Sequence, residues 1–236
     1  SNTTLVRTQQ DLPMPILLVV LLVIVVAIWL IPAFPVSPLG SLIIVIFGFF
    51  FATVSSRMVG LIGSSNNPVS GMTLMTLILA SIILVACGLK GTAGMVSALI
   101  IGGVVCTALS MAGGFITDLK IGYWLGTTPA KQETWKFLGT LVSAATVGGV
   151  ILILNQTYGF TSGQLAAPQA NAMAAVIEPL MSGAGAPWAL YGIGAVLAIV
   201  LNFMGVPALA FALGMFIPLE LNVPLVVGGA VNWFVT

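Results

Sequence analysis

Long apolar runs dominate the chain, separated by short stretches rich in proline, glycine, serine and asparagine. A helix that crosses the hydrocarbon core of a bilayer needs roughly 20 apolar residues. The pattern therefore predicts spanning helices at residues 12–34, 39–62, 72–89, 94–117, 135–154 and 188–204. Residues 206–234 are apolar as well, but Pro207, Pro218 and Pro224 interrupt them, which predicts one broken span or two half-helices.

These runs lack the period-two alternation of a membrane β-barrel. They predict an all-α integral membrane protein, a polytopic helical bundle with discontinuous or re-entrant helices, of which residues 1–236 form part of one transmembrane domain. The polar stretch 155–187 contains a helix-forming segment near 166–181, and this segment is too short for a span and is typical of a re-entrant or interfacial helix.

The amino-acid composition agrees with a membrane protein and excludes several kinds of active site. Only 5% of the 236 residues are charged and 59% are hydrophobic, whereas soluble domains carry about 25% charged residues. The formal net charge of +1 provides no field that would attract nucleic acid. Histidine is absent, so no Ser-His-Asp triad and no H-E-x-x-H zinc motif can form. We therefore expect no enzyme, no cofactor and no metal site.

Basic residues predict the orientation of the spans. The stretch 118–136 holds Lys120, Lys131 and Lys136, which are half of the six basic residues. The positive-inside rule places such a stretch in the cytoplasm. Counting back through the spans then puts Arg7 in the cytoplasm and Lys90 outside, unless residues 63–71 are re-entrant and reverse the count.

Small residues recur at every fourth position of the fourth span: Gly94, Ala98, Gly102, Cys106, Ser110 and Gly114. Such residues let helix backbones approach closely in lipid. A period of four drifts by about 40° per step against 3.6 residues per turn. The stripe therefore winds around the helix, which predicts more than one closely packed neighbour.

The second span carries the most informative charged residue, Arg57, followed by an uncharged, helix-breaking stretch at 63–71 that contains Asn66, Asn67 and Ser70. An arginine in or near lipid snorkels to the surface, pairs with an anion or lines water. The polar stretch is either a plain surface turn or a helix break at depth, where carriers expose backbone groups to a solute. The residues alone leave both alternatives open.

Two carboxylates, Glu178 and Glu220, lie away from the basic segments. A carboxylate in or near the membrane is a candidate for proton coupling. The alternative for each is an exposed loop glutamate without a role in transport.

Several motifs resemble those of the oligopeptide transporter (OPT) family, which includes the yellow-stripe-like metal-chelate carriers. The longest is SSRMVGLIGSSNNPVSGM at 55–72. The others are ITDLKIGY at 116–123 with GTTP at 126–129, APQA at 167–170, GVPALAFALGMFIPL at 205–219, and GGAV at 228–231. The resemblance covers the chain from about residue 39 onward, and it is strongest to the C-terminal half of bacterial members.

The resemblance implies a multi-pass secondary transporter of a bacterial inner membrane, which moves small peptides or peptide-like or metal-chelate solutes, usually with protons. Family members are much longer than this chain, so we expect the rest of the same transporter, the lipid bilayer and the solute as partners; the oligomeric state stays open. The residues expected to bind the solute are Arg57, Asn66, Asn67, Ser70 and Gln169. Asp118 and Lys120 are expected to anchor a cytoplasmic loop. The alternatives are a channel or pore subunit and a non-catalytic membrane scaffold.

Overall fold

The computed structural model describes residues 6–31, 36–64, 67–160, 168–182, 187–216 and 219–235. Within these ranges the regular structure is helical throughout, and strands are absent. A short 3-10 turn at Arg7–Gln9 precedes the helices. These are α1 (Met14–Leu30), α2 (Pro38–Ile62), α3 (Val69–Ala86), α4 (Gly91–Leu125), α5 (Pro129–Thr157), α6 (Pro168–Met181), α7 (Trp188–Phe203), α8 (Ala208–Phe216) and α9 (Leu219–Val235).

The helices from α1 to α5 are long and apolar enough to cross a membrane. The predicted all-α membrane fold is thereby confirmed. The chain divides into two compact units, Ser1–Ala166 with α1 to α5 and Ala167–Thr236 with α6 to α9.

Proline and small polar residues set where helices of the first unit begin. The hydroxyl oxygen of Ser37 accepts from the backbone N–H of Gly40 at 3.2 Å, and Pro38 occupies the first turn of α2. Pro129 begins α5 in the same way. Both positions suit proline because an N–H in the first turn has no partner inside the helix.

The stretch 118–136, which the sequence predicted to be a loop, is helical except for the turn 126–128. Asp118 and Lys120 lie within α4 rather than in a loop. No proline occurs in this stretch before Gly126, which ends α4 with φ 68° while the N–H of Thr127 donates to the Gly122 carbonyl at 2.9 Å. A glycine in this left-handed conformation is a common helix terminator.

Helix α4 forms the centre of the first unit, with α2 and α3 packed against it. One apolar cluster joins the three helices, and its buried members are Phe51, Met72, Val105 and Leu109. Leu77 of α3 packs directly on the bare backbone of Gly102, where a Cβ atom would lie 2.8 Å from the Leu77 Cγ. The small-residue seam therefore brings helix axes together, as expected in lipid.

The predicted stripe follows this seam for only part of α4. Gly102 is buried, but Ser110 and Gly114 are exposed. The contact surface continues instead through Leu109 and Gly113. The reason is the drift of a four-residue period, which turns the later members of the stripe away from α2 and α3.

In the second unit, the apolar segment that ends the chain forms two helices, α8 and α9, on either side of residues 217–218. Residues 217–218 lie outside the described residues. Gly205, with φ 76°, ends α7, and α8 starts directly after Pro207. Pro224 lies within α9, near its start.

Candidate functional site

At the break between α2 and α3, irregular backbone lies next to buried polar groups of the first unit. Helix α2 ends at Gly63, which has φ 83° and whose N–H donates to the Val59 carbonyl at 3.0 Å. The chain then reverses, and α3 starts after Pro68. The N–H of Asn67 donates to the Ser64 carbonyl at 3.3 Å, which closes the described part of the turn.

A polar cluster ties this break to α2 and α4. The fully buried Ser55 hydroxyl donates to the Leu109 carbonyl at 2.8 Å, and the side-chain NH₂ of Asn67 donates to the Ser55 oxygen at 2.8 Å. Because the one hydroxyl hydrogen of Ser55 is used by Leu109, its oxygen can only accept. The amide group that faces it must therefore be the NH₂, which fixes the orientation of the Asn67 side chain.

The opposite atom of the same amide, Asn67 Oδ1, is buried and has no hydrogen-bond partner in the part of the chain that the structure describes. An unpaired buried acceptor costs on the order of 1–3 kcal/mol. Such a group calls for a functional or structural explanation. Asn67 Oδ1 can accept a hydrogen bond from an N–H or ammonium group.

Gly113 of α4 makes room for this cluster. A Cβ atom at this position would lie 2.6 Å from Asn67 Nδ2, 3.0 Å from Ser55 Oγ and 3.2 Å from Val59 Cγ2. Helix α4 continues from Gly113 to Leu125, which is about 18 Å along its axis at 1.5 Å per residue. The break therefore packs against the side of α4, some three turns before that helix ends.

Arg57 does not join the cluster. Arg57 is exposed, and it lies at one end of an open groove of about 620 Å³. The other lining residues are Val45, Ile46, Phe49, Phe50, Thr53 and Val54. Two residues along an α-helix correspond to about 200° of rotation. The side chains of Ser55 and Arg57 consequently point to opposite faces of α2, although the sequence suggested one shared site.

The remaining residues expected at the solute site are placed as follows. Ser70 is half-buried in the first turn of α3, close to Asn67. Asn66 lies outside the described residues. Gln169 is the second residue of α6, in the second unit, and its side chain is also outside the described part.

Both candidates for proton coupling belong to the second unit and are exposed. Glu178 lies in α6, and Glu220 lies in the first turn of α9. A carboxylate in the first turn of a helix interacts favourably with the positive end of the helix dipole.

The residues expected to anchor the cytoplasmic loop, Asp118 and Lys120, both lie near the C-terminal end of α4. Asp118 forms an ion pair of 2.7 Å with Lys136 of α5. The ammonium of Lys120 lies instead over the rings of Tyr123, at 5.3 Å, and Trp124, at 5.5 Å. Because the ion pair is substantially exposed, it contributes at most about 1 kcal/mol.

Sequence reasoning missed the role of the segment before α1. Arg7 donates to the Thr128 hydroxyl at 3.1 Å and to the Gly126 carbonyl at 2.9 Å. The Ala130 N–H donates to the Gln10 carbonyl at 2.8 Å. These contacts fix the start of α1 to the α4–α5 turn, and no sequence motif signals them because they join residues about 120 positions apart in the chain.

The same contacts place Arg7 at the end of the first unit that also carries Lys120, Lys131 and Lys136. Lys90, which precedes α4, lies at the opposite end of that helix. Clustering of basic groups at one end is the arrangement that the positive-inside rule requires.

Comparisons with known proteins give the chain a family. The sequence profile described as OPT oligopeptide transporter protein matches residues 1–236. A Haemophilus influenzae protein named "Putative oligopeptide transporter" is 29% identical over 244 aligned positions, which cover 86% of this chain and 38% of the relative. The chain thus spans less than half the length of that relative, and no solved structure matches it. The chain belongs to the OPT oligopeptide transporter family.

Proposed function

We propose that the protein acts as a secondary active transporter in a bacterial inner membrane. Its solutes are small peptides or peptide-like or metal-chelate compounds, and the proton gradient drives their movement. Family membership, the five helices of spanning length and the relative's printed name support this proposal.

The observation that carries the proposal is the break between α2 and α3 with the buried polar groups of Ser55 and Asn67 beside it. Irregular backbone within a membrane domain persists only where protein covers it or where it lines a cavity, and carriers place solute sites at such breaks. Asn67 Oδ1, at this break, is an acceptor without a hydrogen-bond partner among the described residues. Ser70 stands at the N-terminal, electropositive end of α3.

We assign Asn67, with Ser70 and Asn66, to the uncharged contacts of the solute. A peptide supplies N–H groups that match the free acceptor of Asn67. In the present conformation this oxygen is covered from solvent. The assignment therefore requires the break to move during the transport cycle, as alternating access demands.

Arg57 has a separate role in this proposal. Its guanidinium faces the apolar groove along α2, where a carboxylate of the solute or of the transporter would be a favourable partner. Gln169, the second residue of α6, is assigned to solute binding. Glu220 or Glu178 is assigned to proton coupling.

Uptake by the protein at its natural length, reconstituted into proteoliposomes, tests the proposal. The probes are pooled radiolabelled tri- to pentapeptides and an iron(III) chelate of an amino-acid-type ligand, each with and without a proton gradient. We expect saturable, gradient-dependent uptake with counterflow of at least one probe. Ohmic single-channel currents without counterflow would show a pore instead.

Variants then test the site. Asn67→Ala removes the solute acceptor and is expected to lower uptake about tenfold, the effect of losing about 1.4 kcal/mol. Arg57→Ala is expected to weaken uptake as well. The matched controls are Thr107→Ala, which changes an exposed residue of α4, and Lys90→Ala, which removes a cation at the other end. If the site variants transport as well as these controls, the site assignment is wrong.

A further inference from the structure

A pocket at the α4–α5 turn lies apart from the proposed solute site. It has a volume of about 350 Å³, and its lining residues are Arg7, Thr127, Thr128, Lys131, Gln132 and Trp135. We propose that this pocket binds the phosphate of an anionic membrane lipid.

The lining charges favour an anion. Arg7 and Lys131 contribute two cations, and none of the lining residues is acidic. The carboxylates of the adjoining segments, Asp11, Asp118 and Glu133, are not among the lining residues. Asp118 pairs with Lys136 at 2.7 Å, and Glu133 accepts from the Leu12 N–H at 2.7 Å. The positive charge of the pocket is therefore not neutralised within it.

The pocket also contains hydrogen-bond donors suited to phosphate. The Thr127 hydroxyl is buried and has no partner among the described residues. Beside it, Thr128 is 6% exposed and holds the guanidinium of Arg7 at 3.1 Å, which fixes the direction of that cation. Arg7 uses one further N–H for the Gly126 carbonyl, and its remaining N–H groups are available, since a guanidinium carries five.

The surface next to the pocket identifies the ligand as a lipid. Lys131, Trp135, Leu138 and Val142 follow one another at spacings of four, three and four, and so share a face of α5. The indole is 67% exposed, and the two aliphatic side chains are 48% and 59% exposed. This order of cation, interfacial indole and aliphatic groups matches a headgroup, its interface and an acyl chain.

Thermal melting of the purified protein, at its natural length and in neutral detergent, tests the proposal. The probes are short-chain phosphatidylglycerol, short-chain phosphatidylcholine and inorganic phosphate, compared at constant ionic strength. We expect phosphatidylglycerol to raise the Tm in a saturable manner and the other two to have little effect. Equal effects of both lipids, or an equal effect of inorganic phosphate, would overturn the proposal.

Variants locate the binding. Lys131→Gln is expected to weaken the apparent affinity for phosphatidylglycerol about fivefold, and Lys131→Arg is expected to preserve it. Thr127→Val removes the unused donor and is also expected to weaken binding. Lys90→Gln is the matched control, since it removes one cation from the other end of α4. If Lys131→Gln and Lys90→Gln bind the lipid equally well, the pocket is not the site.

Discussion

Replacing Gly113 by alanine is the sharpest structural perturbation of the α2–α3 break. The new methyl group would meet the Asn67 amide, the Ser55 hydroxyl and the Val59 side chain at 2.6, 3.0 and 3.2 Å. The amide cannot retreat without losing its 2.8 Å bond to Ser55. The substitution thus acts on the polar cluster without altering any of its polar groups.

The expected change in the free energy of unfolding follows from three effects. Overpacking a closely packed site destabilises by about 1–3 kcal/mol. Loss of the bond between Asn67 and Ser55 adds about 0.5–1.5 kcal/mol. Replacing glycine by alanine within a helix offsets roughly 0.5–1 kcal/mol of this. We therefore expect Gly113→Ala to lower stability by roughly 0.5–4 kcal/mol.

The neighbouring glycine provides a matched control. A Cβ atom at Gly114 would meet nothing within 4 Å, and the same holds for Gly103. Alanine at either position should leave stability unchanged or raise it by up to about 1 kcal/mol. Thermal unfolding of the three variants in one detergent, followed by the loss of helical circular dichroism, measures the difference.

The two alanine variants should also differ in the order of their melting temperatures. Gly113→Ala should melt below the wild type, and Gly114→Ala should melt at or above it. If the two alanine variants melt together, Gly113 is not constrained by the cluster, and the described packing of the break against α4 is incorrect.

Three further predictions concern packing, the N-terminal segment and topology. Gly102→Ala should destabilise the protein because the new methyl group clashes with Leu77, and adding Leu77→Ala should relieve part of the loss. A double-mutant cycle by thermal unfolding should give a coupling energy of about 0.5–3 kcal/mol. Strictly additive effects of the two substitutions would refute the contact. Arg7→Gln should change the free energy of unfolding by no more than about 1 kcal/mol relative to the wild type. It should speed hydrogen exchange at the Ala130 N–H, because the segment whose Gln10 carbonyl accepts this hydrogen bond is released. Unchanged exchange would mean that Arg7 does not hold the segment. With native cysteines replaced by serine, a single cysteine at Arg7 and one at Lys90 should react with an impermeant maleimide from opposite sides of a vesicle, and labelling from one side would contradict the topology.

The sequence was sufficient to predict the fold class because length and hydropathy alone separate membrane helices from other structures. It also predicted an interruption after residue 62, where α2 ends, since glycine, asparagine and proline interrupt helices for local steric reasons, but α3 begins at Val69 rather than at residue 72. The division of the last apolar segment into α8 and α9 has the same origin.

Other features depended on contacts between distant residues, and pattern alone could not supply them. The sequence grouped Arg57 with Asn67 because they are close along the chain, but helix rotation directs Ser55 inward and Arg57 outward. The charges of residues 118–136 suggested a loop, whereas α4 contains no proline and continues to Leu125. Whether Glu178, Glu220 and Gln169 act in transport stays a prediction.

Protection of an engineered cysteine by solute tests the central claim most directly. A single cysteine replaces Ser70 beside the break, and a control cysteine replaces Thr107 on the exposed face of α4. Both proteins are labelled in proteoliposomes while a peptide or chelate that supports uptake is titrated. If the break forms the solute site, labelling at position 70 slows with a half-effect near the KM for uptake, and labelling at position 107 does not change. If solute that saturates uptake leaves the rate at position 70 unchanged, the α2–α3 break does not form the solute site.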